Sequence, residues 1–256
     1  MRDEDRIPQH QGPLVDYVRQ SYPPVGELRG LHSASVLRTF LRRQGWTERL
    51  WPVLERCREL VGPNNTVWGI KDVPGVELYF YDVATVEELA EGLSDLVEVQ
   101  ARFRGDYLMC SLELDGQGRT DGFRVYRPGN PRDHSPDGTS YLLGPQGPVM
   151  ENLYWFYPPV QLKRVMGHVD RSIHLGRKQL DRMAVDCHSL CFSNKRFTDA
   201  LYYSRLDTLR TRSWLRARWP EMGDVLDDPE LEHLRWDVGV DFQGQRPVKV
   251  GLYGFY

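Results

Sequence analysis

Apolar and polar side chains alternate with a period of two in ten short runs, the pattern of strands whose residues point by turns to opposite faces. The runs come in pairs separated by turn formers: TVWGIKD and VELYFYD around VPG, DYLMCSLEL and GFRVYR around DGQGRTD, and TSYLLG and VMENLYWFY around PQGP. Two more pairs follow, HSLCFS and FTDALYYSR around NKR, then WDVGVDF and VKVGLYGFY around QGQRP. Each pair reads as a β-hairpin, and the second strand of each is aromatic. Five copies of one unit predict a fold built by repetition.

Between the hairpins the period changes to three and four, which predicts helices over residues 35–60, 85–99, 159–185 and 206–234. Gly45 or Pro52 is the expected break in the first. Thr85 with Glu88 reads as a capping box opening the second. Only the link RPGNPRDHSPDG, rich in Pro and Gly, lacks a helical pattern and reads as a loop. An open sheet of ten strands leaves two edges of unpaired backbone groups, and closure removes both. The predicted fold class is α+β: a ten-stranded antiparallel β-barrel made of five hairpins, with helices packed around the outside. Residues 1–30 read as a loose N-terminal arm and residues 31–256 as a single domain.

Strand parity assigns the faces. One face carries Leu78, Phe80, Phe123, Val125, Leu153, Trp155, Leu201, Tyr203 and Leu252, apolar enough to lie under helices. The other carries Tyr79, Tyr81, Arg124, Tyr126, Tyr154, Phe156, Tyr202, Tyr253 and Phe255. Phenols are an unusual choice for bulk solvent, and a ten-stranded barrel is wide enough to hold a chamber. The second face is therefore expected to line a lumen.

Charge adds detail to that chamber. With 33 basic and 36 acidic residues the formal net charge is -3, which argues against a broad nucleic-acid surface and leaves room for a local anion pocket. Inward parity collects Lys71, Arg124 and Lys249, with Arg196 added if the register runs through the NKR turn. Cations among aromatic rings suit a diphosphate, and the rings suit a developing carbocation. Glu77 and Glu113 share the parity and are candidates to accept a hydrogen bond or a proton. Four irregularly spaced cysteines and no apolar N-terminal segment lead to the expectation of a reduced, cytoplasmic setting. No apolar run approaches the ~20 residues of a membrane span.

Other readings are weaker. Cys187, His188 and Cys191 lack a second ligand pair for zinc, and parity separates His188 from the two cysteines. Asp227 and Asp228 lack the third carboxylate of a metal–diphosphate motif; Asp228 before Pro229 reads as an N-cap. Arg38, Arg42, Arg43 and Arg49 read as a solvated helix face. The glycine-rich and nucleophile-elbow words of nucleotide-binding and hydrolase folds are missing.

Helix-and-hairpin units closing a ten-stranded barrel around a lumen of Tyr, Lys and Arg resemble the aromatic prenyltransferases of the ABBA, or PT-barrel, fold. The likeness covers residues 35–256 and lies in architecture and face chemistry; the chain is short for that family and lacks a helix between hairpins two and three. It implies that Lys71, Arg124 and Lys249 hold an allylic diphosphate. It also implies that Tyr79, Tyr126, Tyr154, Tyr202 and Tyr253 shield the cation, and that Glu77 or Glu113 orients an aromatic acceptor. Mg²⁺ is left open as a cofactor. The alternative is a non-catalytic barrel or α+β protein that binds an aromatic or apolar ligand, or a protein partner.

Overall fold

The ten strands close on themselves. A computed structural model describes the chain except residues 10–13, 16–20, 25–29, 63–64, 73–74, 82–85, 97–105, 131–134, 145–146, 159–160, 173–182 and 256. A two-stranded ladder of β1 (Leu14–Val15) and β2 (Ser21–Tyr22) comes first. The five hairpins are β3 (Thr66–Lys71) with β4 (Val76–Phe80), β5 (Met109–Leu114) with β6 (Phe123–Pro128), and β7 (Gly138–Gly144) with β8 (Gly147–Tyr157). They continue with β9 (Leu190–Lys195) and β10 (Asp199–Asp207), then β11 (Arg235–Gln243) and β12 (Arg246–Phe255). Each strand pairs antiparallel with its neighbours in sequence, and β12 returns to β3 from Gly251 opposite Lys71 to Phe255 opposite Val67. The predicted closure is thus observed.

Helices α1 (Ala34–Gln44) and α2 (Thr47–Val61) precede the first hairpin, α3 (Val86–Gly92) the second, α4 (Leu162–Arg171) and α5 (Met183–Asp186) the fourth, and α6 (Thr208–Arg216) and α7 (Pro220–Asp224) the fifth. The break between α1 and α2 falls at Gly45, whose φ of 70° is the left-handed cap that glycine adopts without strain. Pro52 is carried inside α2. Asp207 caps α6 by accepting the Arg210 amide at 2.8 Å. Asp228 does the same for the Glu230 amide at the 3-10 turn Pro229–Leu231, as its place before Pro229 predicted. The Thr85 half of the predicted capping box lies outside the described residues.

The outward face forms the main core. Trp68, Leu78, Phe80, Phe123, Leu201, Trp236 and Leu252 are buried together with Leu37 and Leu41 of α1 and Leu50 and Leu54 of α2. Trp68 and Trp236 meet edge to face at 6.1 Å across β12. Each such side chain removed from water contributes about 1.5–3 kcal/mol, so this layer anchors the helices and leaves the opposite face to define the lumen.

Two expectations change. The start of the expected loose arm is docked: Asp5 is buried against Arg42 and Thr39, the Ile7 amide donates to Ser35 Oγ, and Arg6 pairs with Asp228 at 2.8 Å. Polar pairing, which hydrophobic periodicity does not register, holds it there. For the same reason Arg42 is not a purely solvated residue. Among the described residues no helix is long and apolar enough to cross a membrane.

Candidate functional site

Inward parity stacks the lumen in three layers. The middle layer is a belt of tyrosines, one from the second strand of each hairpin. Ring centroids run Tyr154–Tyr126 at 5.8 Å, Tyr126–Tyr79 at 6.0 Å, Tyr79–Tyr253 at 6.1 Å and Tyr253–Tyr202 at 6.2 Å. The alternate strands supply small residues at this level, which is why so many rings fit. A Cβ on Gly69 would stand 2.6 Å from the Tyr253 ring, and one on Gly239 would stand 2.6 Å from the Tyr202 ring. Ser111 bonds Tyr126 Oη at 3.2 Å, and Asn152 donates to Tyr154 Oη at 3.1 Å. On β6 Tyr126 takes the belt position, and Arg124 lies one inward position nearer the turns.

The layer toward the hairpin turns is ionic. Lys71 is buried and pairs with both Glu77 and Glu113. Arg124 meets Glu151 at 2.8 Å, Asp121 at 3.0 Å and Glu113 at 3.9 Å. Lys195 grips both oxygens of Asp241 at 2.8 and 2.9 Å, and its ammonium lies 5.5 Å from the Tyr202 ring centre. Lys249 sits opposite Asp241 in the β11–β12 register. The link to the belt is Glu77, whose Oε2 accepts the Tyr79 hydroxyl at 3.0 Å.

Electrostatics follow from this packing. Burial alone would raise the Glu77 carboxyl, but Lys71, Lys249 and Lys195 outweigh it and hold it down at about 2, so it is ionised at neutral pH. Burial alone would lower Lys71, yet Glu77 and Glu113 raise it above the usual lysine range. Burial also pushes the phenols up, Tyr154 to about 12 and Tyr126, Tyr202 and Tyr253 well above the usual range, with the Glu77 charge adding to each. The belt therefore presents neutral hydroxyls and π faces, while the layer beside it carries full charges.

The third layer, at the helix-bearing end, is a mouth. A cavity of about 70 Å³ opens there, lined by the five belt tyrosines together with Leu108, Met109, Phe156, Cys191 and Asp237 among others. That volume holds a few water molecules, well below the several hundred Å³ of a drug-sized site. No family model matches the chain, and no curated protein matches it. The lumen chemistry itself is thus what bears on function. A larger groove of about 870 Å³ is lined by Phe40 and Arg43 of α1, Lys71 and Asp72 at the end of β3, and Arg218 and Trp219 beside α7.

The structure gathers Lys71, Arg124, Lys249, Glu77 and Glu113 at one end of the lumen and Tyr79, Tyr126, Tyr154, Tyr202 and Tyr253 across its middle; Tyr81 joins the same inner cluster. Arg196 is a correction. It lies exposed in the turn, its guanidinium 5.0 Å from the centre of the Phe197 ring, because β9 runs on to Lys195 and that residue takes the inward position. Extending the alternation past Ser193 would have found Lys195. Glu151 was missed for another reason: it stands at a register shift in the β7–β8 ladder, where alternation fails. Cys187 belongs to the outer core while Cys191 faces the cavity. Among the described residues no group of three His, Cys, Asp or Glu is arranged to hold a metal ion. The lumen carboxylates that would hold Mg²⁺ are engaged by lysines and an arginine, so these residues do not fit a resident ion.

Proposed function

We propose that the barrel transfers an allylic prenyl group from its diphosphate to an aromatic acceptor inside the lumen. The observation that carries this reading is the stacking of four cations, Lys71, Arg124, Lys195 and Lys249, beneath a belt of five tyrosines. Arg and Lys at one end suit a diphosphate, and the π faces above them suit the allylic cation left when the carbon–oxygen bond breaks. A carbon–carbon bond then forms to the acceptor ring, and the displaced ring proton passes to a base. This reading assigns that role to Glu77, and its ionised state and its hydrogen bond at the foot of the belt support the assignment. Substrate entry requires the rings bordering the cavity to rotate, since a prenyl chain exceeds about 70 Å³.

The second reading is a non-catalytic barrel that binds a small aromatic or apolar ligand at the mouth. Its support is the pairing of Lys71, Arg124 and Lys195 with carboxylates, which leaves little net positive charge for an anion. One experiment separates the two. The chain is incubated with dimethylallyl or geranyl diphosphate and a panel of indoles, phenols and naphthalenediols. The transfer reading expects a prenylated acceptor with released diphosphate, lost in Arg124→Gln. Ligand-induced thermal stabilisation by the acceptors, with no shift and no product from either diphosphate, overturns transfer and leaves the binder.

A further inference from the structure

Lysine is scarce in this chain, and the lumen concentrates it. The sequence has 28 arginines and five lysines, and three of those five, Lys71, Lys195 and Lys249, stand at the ionic end of the barrel. A guanidinium grips carboxylates and phosphates at least as well, so charge alone does not account for the choice. What lysine offers and arginine does not is an amine that can lose its proton.

The three are not equivalent. Lys71 is shared by Glu77 and Glu113, and Lys195 is held by both oxygens of Asp241. Lys249, across the ladder from Asp241, forms no ion pair with any described residue, since the carboxylates nearest it are already engaged by the other two lysines. It is half-buried, not sealed from solvent. The groups facing it are Lys71 from β3, Glu77 from β4, Lys195 from β9 and Asp241 from β11. Tyr253 adds a neutral hydroxyl that lies over Gly251, two residues along β12.

We propose that Lys249 is an imine-forming amine, and that the ionic end of the lumen takes an aldehyde or ketone there. Desolvation next to other cations is the environment that makes a lysine nucleophilic near neutral pH. Burial lowers Lys249 first, and Lys71 and Lys195 lower it further against the opposing pull of Glu77 and Asp241. The free amine attacks the carbonyl carbon, and a proton moves from nitrogen to oxygen to give a carbinolamine. A proton from solvent water adds to the hydroxyl, and water leaves as the carbon–oxygen bond breaks, producing the iminium; hydrolysis returns that proton and reverses each step without an oxidant or reductant. This goes beyond prenyl transfer, which uses Lys249 only as a charge.

The test is reductive alkylation of the full chain with propanal and cyanoborohydride, without diphosphate, so its result bears on the amine alone. Peptide mass spectrometry follows each lysine. Lys249 is expected to react several-fold faster at pH 7 than the exposed Lys163 on α4, because a lowered amine holds more of its free form. Its rate should also reach a plateau at lower pH than an ordinary lysine amine does. Equal or slower reaction at Lys249, or a plateau in the ordinary lysine range, overturns the proposal. In Lys195→Met, folded as judged by near-UV circular dichroism, Asp241 becomes free to pair with Lys249. Labelling at Lys249 should slow several-fold while Lys163 is unchanged, and an unchanged Lys249 rate also overturns it.

Discussion

Glu77→Gln is the most informative single perturbation of the lumen. The substitution keeps the shape and leaves an acceptor for Tyr79 Oη, but it removes the charge that faces Lys71. Lys71 would then rely on Glu113, whose side chain is 37% exposed and correspondingly weaker as a partner. The Glu77 carboxyl falls from 4.5 to about 2 in the folded chain, a difference worth on the order of 3 kcal/mol at neutral pH. A depressed carboxyl contributes its full stabilisation above the unfolded value of 4.5 and loses it as pH falls through about 2. Urea unfolding followed by tryptophan fluorescence from about pH 7 to about pH 2 reads this directly. The variant should be less stable at the neutral end, by on the order of 3 kcal/mol, and nearly equal to wild type at the acid end. Between them the wild-type curve should be steeper by up to about 1.4 kcal/mol per pH unit. Parallel curves, or a difference at pH 7 below about 0.5 kcal/mol, would refute the claim that the Lys71–Glu77 contact stabilises the barrel floor.

Further outcomes follow from the packing. Gly69→Ala drives a methyl to 2.6 Å from the Tyr253 ring and should cost about 1–3 kcal/mol, with a reduced near-UV tyrosine signal; an unaltered signal would mean the ring is not seated on Gly69. Thr208→Val removes the acceptor of the Trp236 indole N–H and the donor to the Leu231 carbonyl, both at 2.8 Å. Urea unfolding should show a loss of about 1–3 kcal/mol for those stranded groups. Asp5→Ala takes the partner from Arg42 and Thr39, so limited proteolysis should cut within residues 1–9 well before the barrel.

Much of the architecture is written in local patterns. A period of two, interrupted by Gly, Pro and Asn, marks all ten barrel strands, because alternation and turn chemistry act over a few residues. The same alternation divides Leu78 and Phe80 from Tyr79 and Tyr81, and the packing of the two clusters follows it. Glycine at 45 likewise marks the break between α1 and α2 through its own backbone freedom. The site was legible as a set of inward residues for the same reason.

The sequence by itself determined the hairpins, the two faces and the candidate cations, all set by side-chain parity and turn formers. Its reach ended where partners distant along the chain meet. Closure depends on β12 finding β3. Lys71 is neutralised by carboxylates from two other strands, and Lys195 rather than Arg196 enters the lumen because β9 continues two residues further than its pattern promised. The cavity narrows to about 70 Å³ because tyrosines from separate hairpins lean onto glycines of their neighbours. Those are questions of who packs against whom, and volume and charge balance inside a barrel belong to the closed ring of strands rather than to any one of them.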